Sequence, residues 1–245
     1  MKPKSETLFH FTKTKSTLKK ILTNGFWPRY CLEDVNWLVM DDVKFVAFPM
    51  VCFCDIPLSR VNEHVEFYGE FGIGLTKEWA INNGLTPIHY VSPNSKIPHV
   101  YKELVRYLDD GKGTAFTEEW KSLRYLLAHT KPIHGAMILD TTTIDKSFHQ
   151  ESEWRFIAKH ESVKDFLEKK EFDNTNSLKE HNANTQKKCM LRITPRDIRY
   201  IFVKNDSDIP DIINFIQTEM DDFAASEIKI LMSRVTSLES IRLDL

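Results

Sequence analysis

The first apolar alternation in the chain, Leu8-Phe9-His10-Phe11-Thr12, predicts a strand with Phe9 and Phe11 on one face and Leu8, His10 and Thr12 on the other. A helix is predicted next: Ser16 can cap it, Leu18, Ile21 and Leu22 form its apolar stripe, and Gly25 stops it. Residues 26–45 mix aromatic and polar positions without a period and read as irregular structure carrying Trp27, Tyr30 and Trp37. From 46 to 56 nearly every position is apolar, which predicts a strand covered on both faces, with Pro49 at a bulge or an edge. Residues 60–68 read as a short helix with His64 and Tyr68 four apart on one face. Residues 71–75 read as a strand whose Gly72 and Gly74 admit a close neighbour. Thr76 caps a short helix ending at Gly84, and 88–91 reads as a strand.

Helices are predicted over 98–109 and 118–129, the second capped by Thr117 with Trp120, Leu123 and Leu127 inward. Strands follow over 136–139 and 154–158, and a short helix over 163–170. Residues 173–188 are polar, rich in Asn and Lys and aperiodic, which predicts a mobile surface loop. Two strands, 189–193 and 200–203, flank a Pro195-Arg196-Asp197 turn. Asp208 opens an amphipathic helix carrying Ile209, Ile212, Ile213 and Ile216, and strand-like runs at 228–232 and 238–243 complete a carboxy-terminal helix/strand extension over 208–245. Strands and helices do not alternate regularly. The expected class is therefore α+β, a single domain over 1–245, and not a doubly wound parallel sheet.

Composition narrows the function classes. Among 245 residues, 42% are apolar and 28% charged, with a net charge of −2, so the chain is globular and lacks an overall basic field for nucleic acid. No apolar run approaches the roughly 18 residues that span a bilayer, and no apolar segment follows Met1-Lys2-Pro3-Lys4-Ser5. A cytoplasmic protein without a membrane partner is expected. Cys31, Cys52, Cys54 and Cys189 read as reduced thiols, because Cys52-x-Cys54 has no second Cys/His pair at zinc-ligand spacing. No metal site is expected.

Three segments concentrate chemistry: His10-Phe11-Thr12, the run from Met50 to Ser59 containing Cys52, Cys54 and Asp55, and Glu151-Ser152-Glu153-Trp154-Arg155. A period of two puts Glu151, Glu153 and Arg155 on one strand face. Two carboxylates there repel, which raises the pKa of one, and Arg155 offsets part of that. The ordinary alternative is an exposed Glu–Arg pair worth about 0–1 kcal/mol.

These segments resemble a known family. His10-x-Thr12, the Cys52-to-Ser59 run, His64, Tyr68-Gly69, Phe71-Gly72-Ile73-Gly74-Leu75, Lys77-Glu78-Trp79, Glu151 to Arg155, and Asp197 to Val203 are similar to the AbiGi family of abortive phage-infection proteins. More distantly, the layout resembles ADP-ribosyltransferases, including DarT-like toxins that modify nucleic acid. That resemblance implies an ADP-ribosyltransferase-like fold of split mixed or antiparallel sheets, NAD as substrate, and transfer of ADP-ribose to RNA or DNA. It also implies a protein antitoxin that restrains the activity. In its terms Glu153 stabilises the ribose cation, as a carboxylate does in glycoside cleavage, and Glu151 orients the acceptor. His10 and Thr12 hold the ribose side of NAD. Cys54, Ser59 and Tyr68 are candidates for the middle element, with Tyr68 stacking on nicotinamide. Arg60, with Arg29, pairs with the pyrophosphate. Trp27, Tyr30 and Trp37 are candidates for stacking on acceptor bases, and Arg29, Lys44, Arg60, Lys179, Lys187 and Lys188 for local positive charge. The AbiGi resemblance itself implies another class, a noncatalytic antitoxin that binds a toxin. Glu153 and His10 discriminate the two, since a binding module has no use for a carboxylate facing a histidine across a cleft.

Overall fold

The computed structural model describes residues 5–38, 40, 43–110, 117–139 and 142–244. Met1–Lys4, on which the reading of the amino terminus rests, lie outside them. The class is α+β. The chain gathers into two compact units, residues 1–27, 52–86 and 190–245 in one and residues 28–51 and 87–189 in the other. Among the described residues no helix is long and apolar enough to cross a membrane.

In the first unit the strands lie in the order Val235–Ser237, Ile198–Val203, Phe71–Thr76, Thr7–Thr12. The first pair is parallel and the others antiparallel, and Phe9 pairs on with Cys54 at the end of the strand Phe45–Cys54. The alternation of the first strand is realised. Phe9 and Phe11 enter a core with Ile56, Val61, Val65, Phe202 and Leu238, each such burial stabilising by about 1.5–3 kcal/mol. His10 faces the other way, its ring 5.0 Å from that of Phe26 and 5.5 Å from that of Phe53. Gly72 lies opposite Phe11, and a Cβ there would meet the Phe11 ring at 2.4 Å, which is the close approach expected of that strand.

Several boundaries differ from the pattern. Thr14, not Ser16, caps the helix Lys15–Asn24, its hydroxyl accepting from the Thr17 amide. Residues 228–232 and 238–243, which read as strands, lie in the helices Ala225–Met232 and Leu238–Asp244. In the first of these Ile228 and Leu231 are buried three apart, a helical and not a strand spacing. Of 189–193, only Leu191 bridges, to Phe26.

In the second unit Arg29–Asp34 runs antiparallel along Phe45–Met50, so Tyr30 lies in a strand and not in irregular structure. Pro49 sits inside its strand because the opposing Tyr30 turns its N–H outward, to Asn182 Oδ1 at 2.9 Å, while Pro49 O accepts from Ala158 N at 2.9 Å. Residues 163–170 form no helix of their own: Leu167–Glu168 pairs with Val46 and Ala47, and the helix Lys169–Asp173 follows. Residues 175–188, expected as a mobile loop, form a helix, Thr175–Lys188. Its apolar residues are too few to show a period. Instead Asn174 caps it, Leu178 packs against Tyr30, Ala47 and Leu167, and buried Asn182 and Thr185 anchor it to backbone.

Candidate functional site

The strand Glu153–Ile157 carries two of the charged side chains that the sequence singles out, and its first four residues alternate buried and half-buried. Glu153 is 5% exposed and Arg155 fully buried. A guanidinium without water needs every donor answered, and the surroundings supply the acceptors. Arg155 Nε donates to Glu153 Oε1 at 2.6 Å, Nη1 to the Ala128 carbonyl at 2.6 Å, and Nη2 to Glu33 Oε2 at 2.8 Å. Lys131 Nζ lies 3.3 Å from Glu153 Oε2 and 4.2 Å from the centre of the Phe148 ring. The Glu153 amide donates to the Tyr90 hydroxyl at 2.8 Å.

The result is a neutral cluster, Glu33 and Glu153 against Lys131 and Arg155. Burial works against the Lys131 ammonium, yet the carboxylates of Glu153 and Glu33 outweigh it and hold its pKa above the ordinary value. Burial pushes the Tyr90 phenol up, and pushes the nearby Cys31 thiol up to about 11, with Glu33 adding to the effect. Neither phenol nor thiol ionises near neutrality, so the cluster holds no nucleophile poised by a lowered pKa.

Glu151 does not share the strand face. It ends the 3-10 turn Phe148–Glu151, and Ser152 follows with φ 45°, a left-handed residue that breaks the period of two. Glu151 is buried against Lys146, with 2.5 Å between Nζ and Oε1. The expectation that Glu151 and Glu153 crowd one face is therefore corrected: each carboxylate has its own lysine.

Of the residues assigned to the cofactor by resemblance, His10, Thr12, Cys54, Ser59, Arg60 and Tyr68 lie in the first unit, and Arg29 lies in the second with Glu151 and Glu153. Within the first unit the candidates do not converge. His10 is half-buried, and its Nδ1 donates to the Cys52 carbonyl at 2.8 Å. Burial lowers its pKa, with that hydrogen bond opposing, so the ring is neutral. Tyr68 belongs to the opposite face of the first strand, stacked on His64 at 4.4 Å and packed against the Phe9 and Phe11 core. Ser59 is exposed on the turn Leu58–Arg60, and Arg60 lies 3.5 Å from Glu63. Cys54 is buried, its thiol 3.5 Å from the Phe9 carbonyl. Thr12 ends its strand beside Gly69, whose φ of 108° and absent Cβ let the Thr12 carbonyl approach.

Sequence reasoning did not find Glu33, Lys131 or Lys146. Glu33 and Lys131 are hidden by distance in the chain and Lys146, five residues before Glu151, by the turn between them; each is an ordinary charged residue until the fold brings it to Glu151, Glu153 or Arg155.

Comparison with known proteins places most of the chain in one family. Residues 24–204 match the family described as "Putative abortive phage resistance protein AbiGi, antitoxin". The "Abortive phage resistance protein AbiGi" of Lactococcus lactis subsp. cremoris is 29% identical over 247 residues, covering 90% of this chain and 99% of that protein. No solved structure matches the chain. With almost three quarters of its length matched by that description, the chain belongs to the AbiGi family of abortive phage resistance proteins.

Proposed function

We propose that this protein is the noncatalytic antitoxin of a two-component abortive-infection system and silences a toxin by binding it. The family description names an antitoxin, and the lactococcal relative is named for phage resistance. The observation that carries the reading is the state of Glu153. Both of its carboxylate oxygens are engaged, by Arg155 and Lys131, and the side chain is 5% exposed. Removing one partner from such a buried pair costs about 3–5 kcal/mol. Releasing Glu153 to a ribose would incur a cost of that kind before any chemistry began. His10, bonded to Cys52 and packed against two phenylalanines, is likewise used within its own unit.

The second reading is transfer of ADP-ribose from NAD to RNA or DNA by an ADP-ribosyltransferase-like fold. It draws on the resemblance of His10 and Glu151-x-Glu153 to that superfamily. One experiment separates the two. This chain and the product of the adjacent gene are expressed singly and together, and the purified chain is incubated with NAD, RNA and DNA. The antitoxin reading expects the adjacent product alone to arrest growth, co-expression to restore it, and no nicotinamide release. Growth arrest by this chain alone, with nicotinamide release lost in Glu153→Gln, would replace it with the enzymatic reading.

A further inference from the structure

The helix Glu118–Ala128 hides an arginine on its inward side. Arg124 is only 7% exposed, beside buried Leu123 and Ala128. Its Nε donates to Asp165 Oδ2 at 2.6 Å, and its guanidinium lies 4.5 Å from the centre of the Phe166 ring. Its Nη2 is buried and has no acceptor. A buried guanidinium N–H without an acceptor is rare in native proteins and calls for an explanation.

Arg124 belongs to the wall of an open groove of about 1010 Å³, at the upper end of the range that encloses small ligands. Phe48, Tyr125, Ile157, Ala158 and Val163 give the groove an apolar lining. Lys159, exposed at its edge, places its ammonium 3.5 Å from the centre of the Tyr125 ring and makes no salt bridge among the described residues. Lys121, Lys164 and Arg124 are paired with Glu118, Glu171 and Asp165, which leaves Lys159 as the lining cation without a carboxylate partner among the described residues. Asp165 already occupies one edge of the guanidinium, and Nη2 is left with an unused donor. A monoanion balances this charge, whereas a phosphate dianion would overshoot it in the company of three carboxylates.

We propose that this groove is a binding site for a peptide carboxylate carried next to an apolar side chain, the carboxylate on Arg124 and Lys159 and the apolar group against Tyr125 and Ile157. The site is independent of the antitoxin reading, because it is defined by this chain alone.

The test uses the full chain and small probes, followed by the side-chain Nε–H signal of Arg124 in nitrogen-15 NMR. N-acetylphenylalanine should shift that signal saturably, and its amide, which lacks the charge, should bind at least about tenfold more weakly, as expected for loss of a charge-assisted hydrogen bond. Lys159→Gln, at an exposed position, should weaken the carboxylate about threefold or more without changing the fold. Arg124→Gln, followed by the backbone amide signals of Tyr125 and Lys159 because it lacks the Nε–H, should abolish their response to N-acetylphenylalanine, with Lys159→Gln serving if that variant does not fold. Phenyl phosphate binding more tightly than N-acetylphenylalanine would overturn the monoanion assignment. Equal binding of acid and amide, or no response to either, would overturn the site, and neither result would bear on toxin silencing.

Discussion

Arg155 shows how a single side chain sets its neighbourhood. Fully buried and bonded to Glu153, Glu33 and the Ala128 carbonyl, it joins one strand to another and to the end of a helix. Arg155→Met strips the counter-charge from two carboxylates, and should lower unfolding free energy by about 3–5 kcal/mol, read as a fall in the urea midpoint at unchanged slope. Glu153→Gln should also destabilise, by less, because an amide still accepts from Nε. That loss of stability has to be measured before any loss of function in this variant is assigned to chemistry.

Two histidines make a second prediction at this scale. Burial is the first cause of the lowered pKa of both His10 and His129, and each ring donates Nδ1–H to a backbone carbonyl, of Cys52 and of Tyr125. Both are neutral in the fold, whereas in the unfolded chain they take up protons below about 6.5. Below that value the unfolded state binds more protons, so stability falls as pH falls and is fully present above it. The urea midpoint should therefore drop between about pH 7.5 and pH 5.5. His10→Asn, which can keep the donor to Cys52 without titrating, should flatten part of that drop.

Among the elements, Thr175–Lys188 is the most instructive. Its sequence has the composition of a loop, and the helix persists because of two polar anchors. Asn182 accepts from the Tyr30 amide, and the Thr185 hydroxyl donates to the Pro28 carbonyl at 2.5 Å. Asn182→Ala should leave the Tyr30 N–H buried and unanswered, cost about 1–3 kcal/mol, and speed amide exchange at Tyr30 ahead of the rest of its strand. Where a helix has an ordinary apolar stripe and a cap, as in Glu118–Ala128 with Thr117, the sequence placed its limits closely. The same stripe gave no sign of Arg124, since an arginine on a helix reads as solvent-facing unless the groups around it are known.

For the whole molecule, two compact units formed from interleaved segments are the principal organisation, and the AbiGi match over 24–204 takes in residues of both. If the chain silences a toxin by binding its folded state, mass action requires the complex to be harder to unfold. At a toxin concentration 100 times Kd the gain should be about 2.7 kcal/mol, visible as a rise in the melting temperature that depends on concentration. A melting temperature indifferent to the toxin would remove the binding role.

Local pattern was enough to determine the α+β class, the two faces of the first strand, the Thr117 and Thr76 caps and the close approach at Gly72 and Gly74, because each depends on residues a few positions apart; that Phe11 is the neighbour of Gly72 came from the strand register. The sequence also marked Glu151, Glu153 and Arg155 as the charged centre. It did not determine their state. Whether a carboxylate is poised or paired depends on Glu33, Lys131 and Lys146, which are up to 122 positions away in the chain, and whether an arginine is solvated or stranded depends on what packs over its helix. Charge pairing and burial are properties of space, and only the tertiary structure decided them.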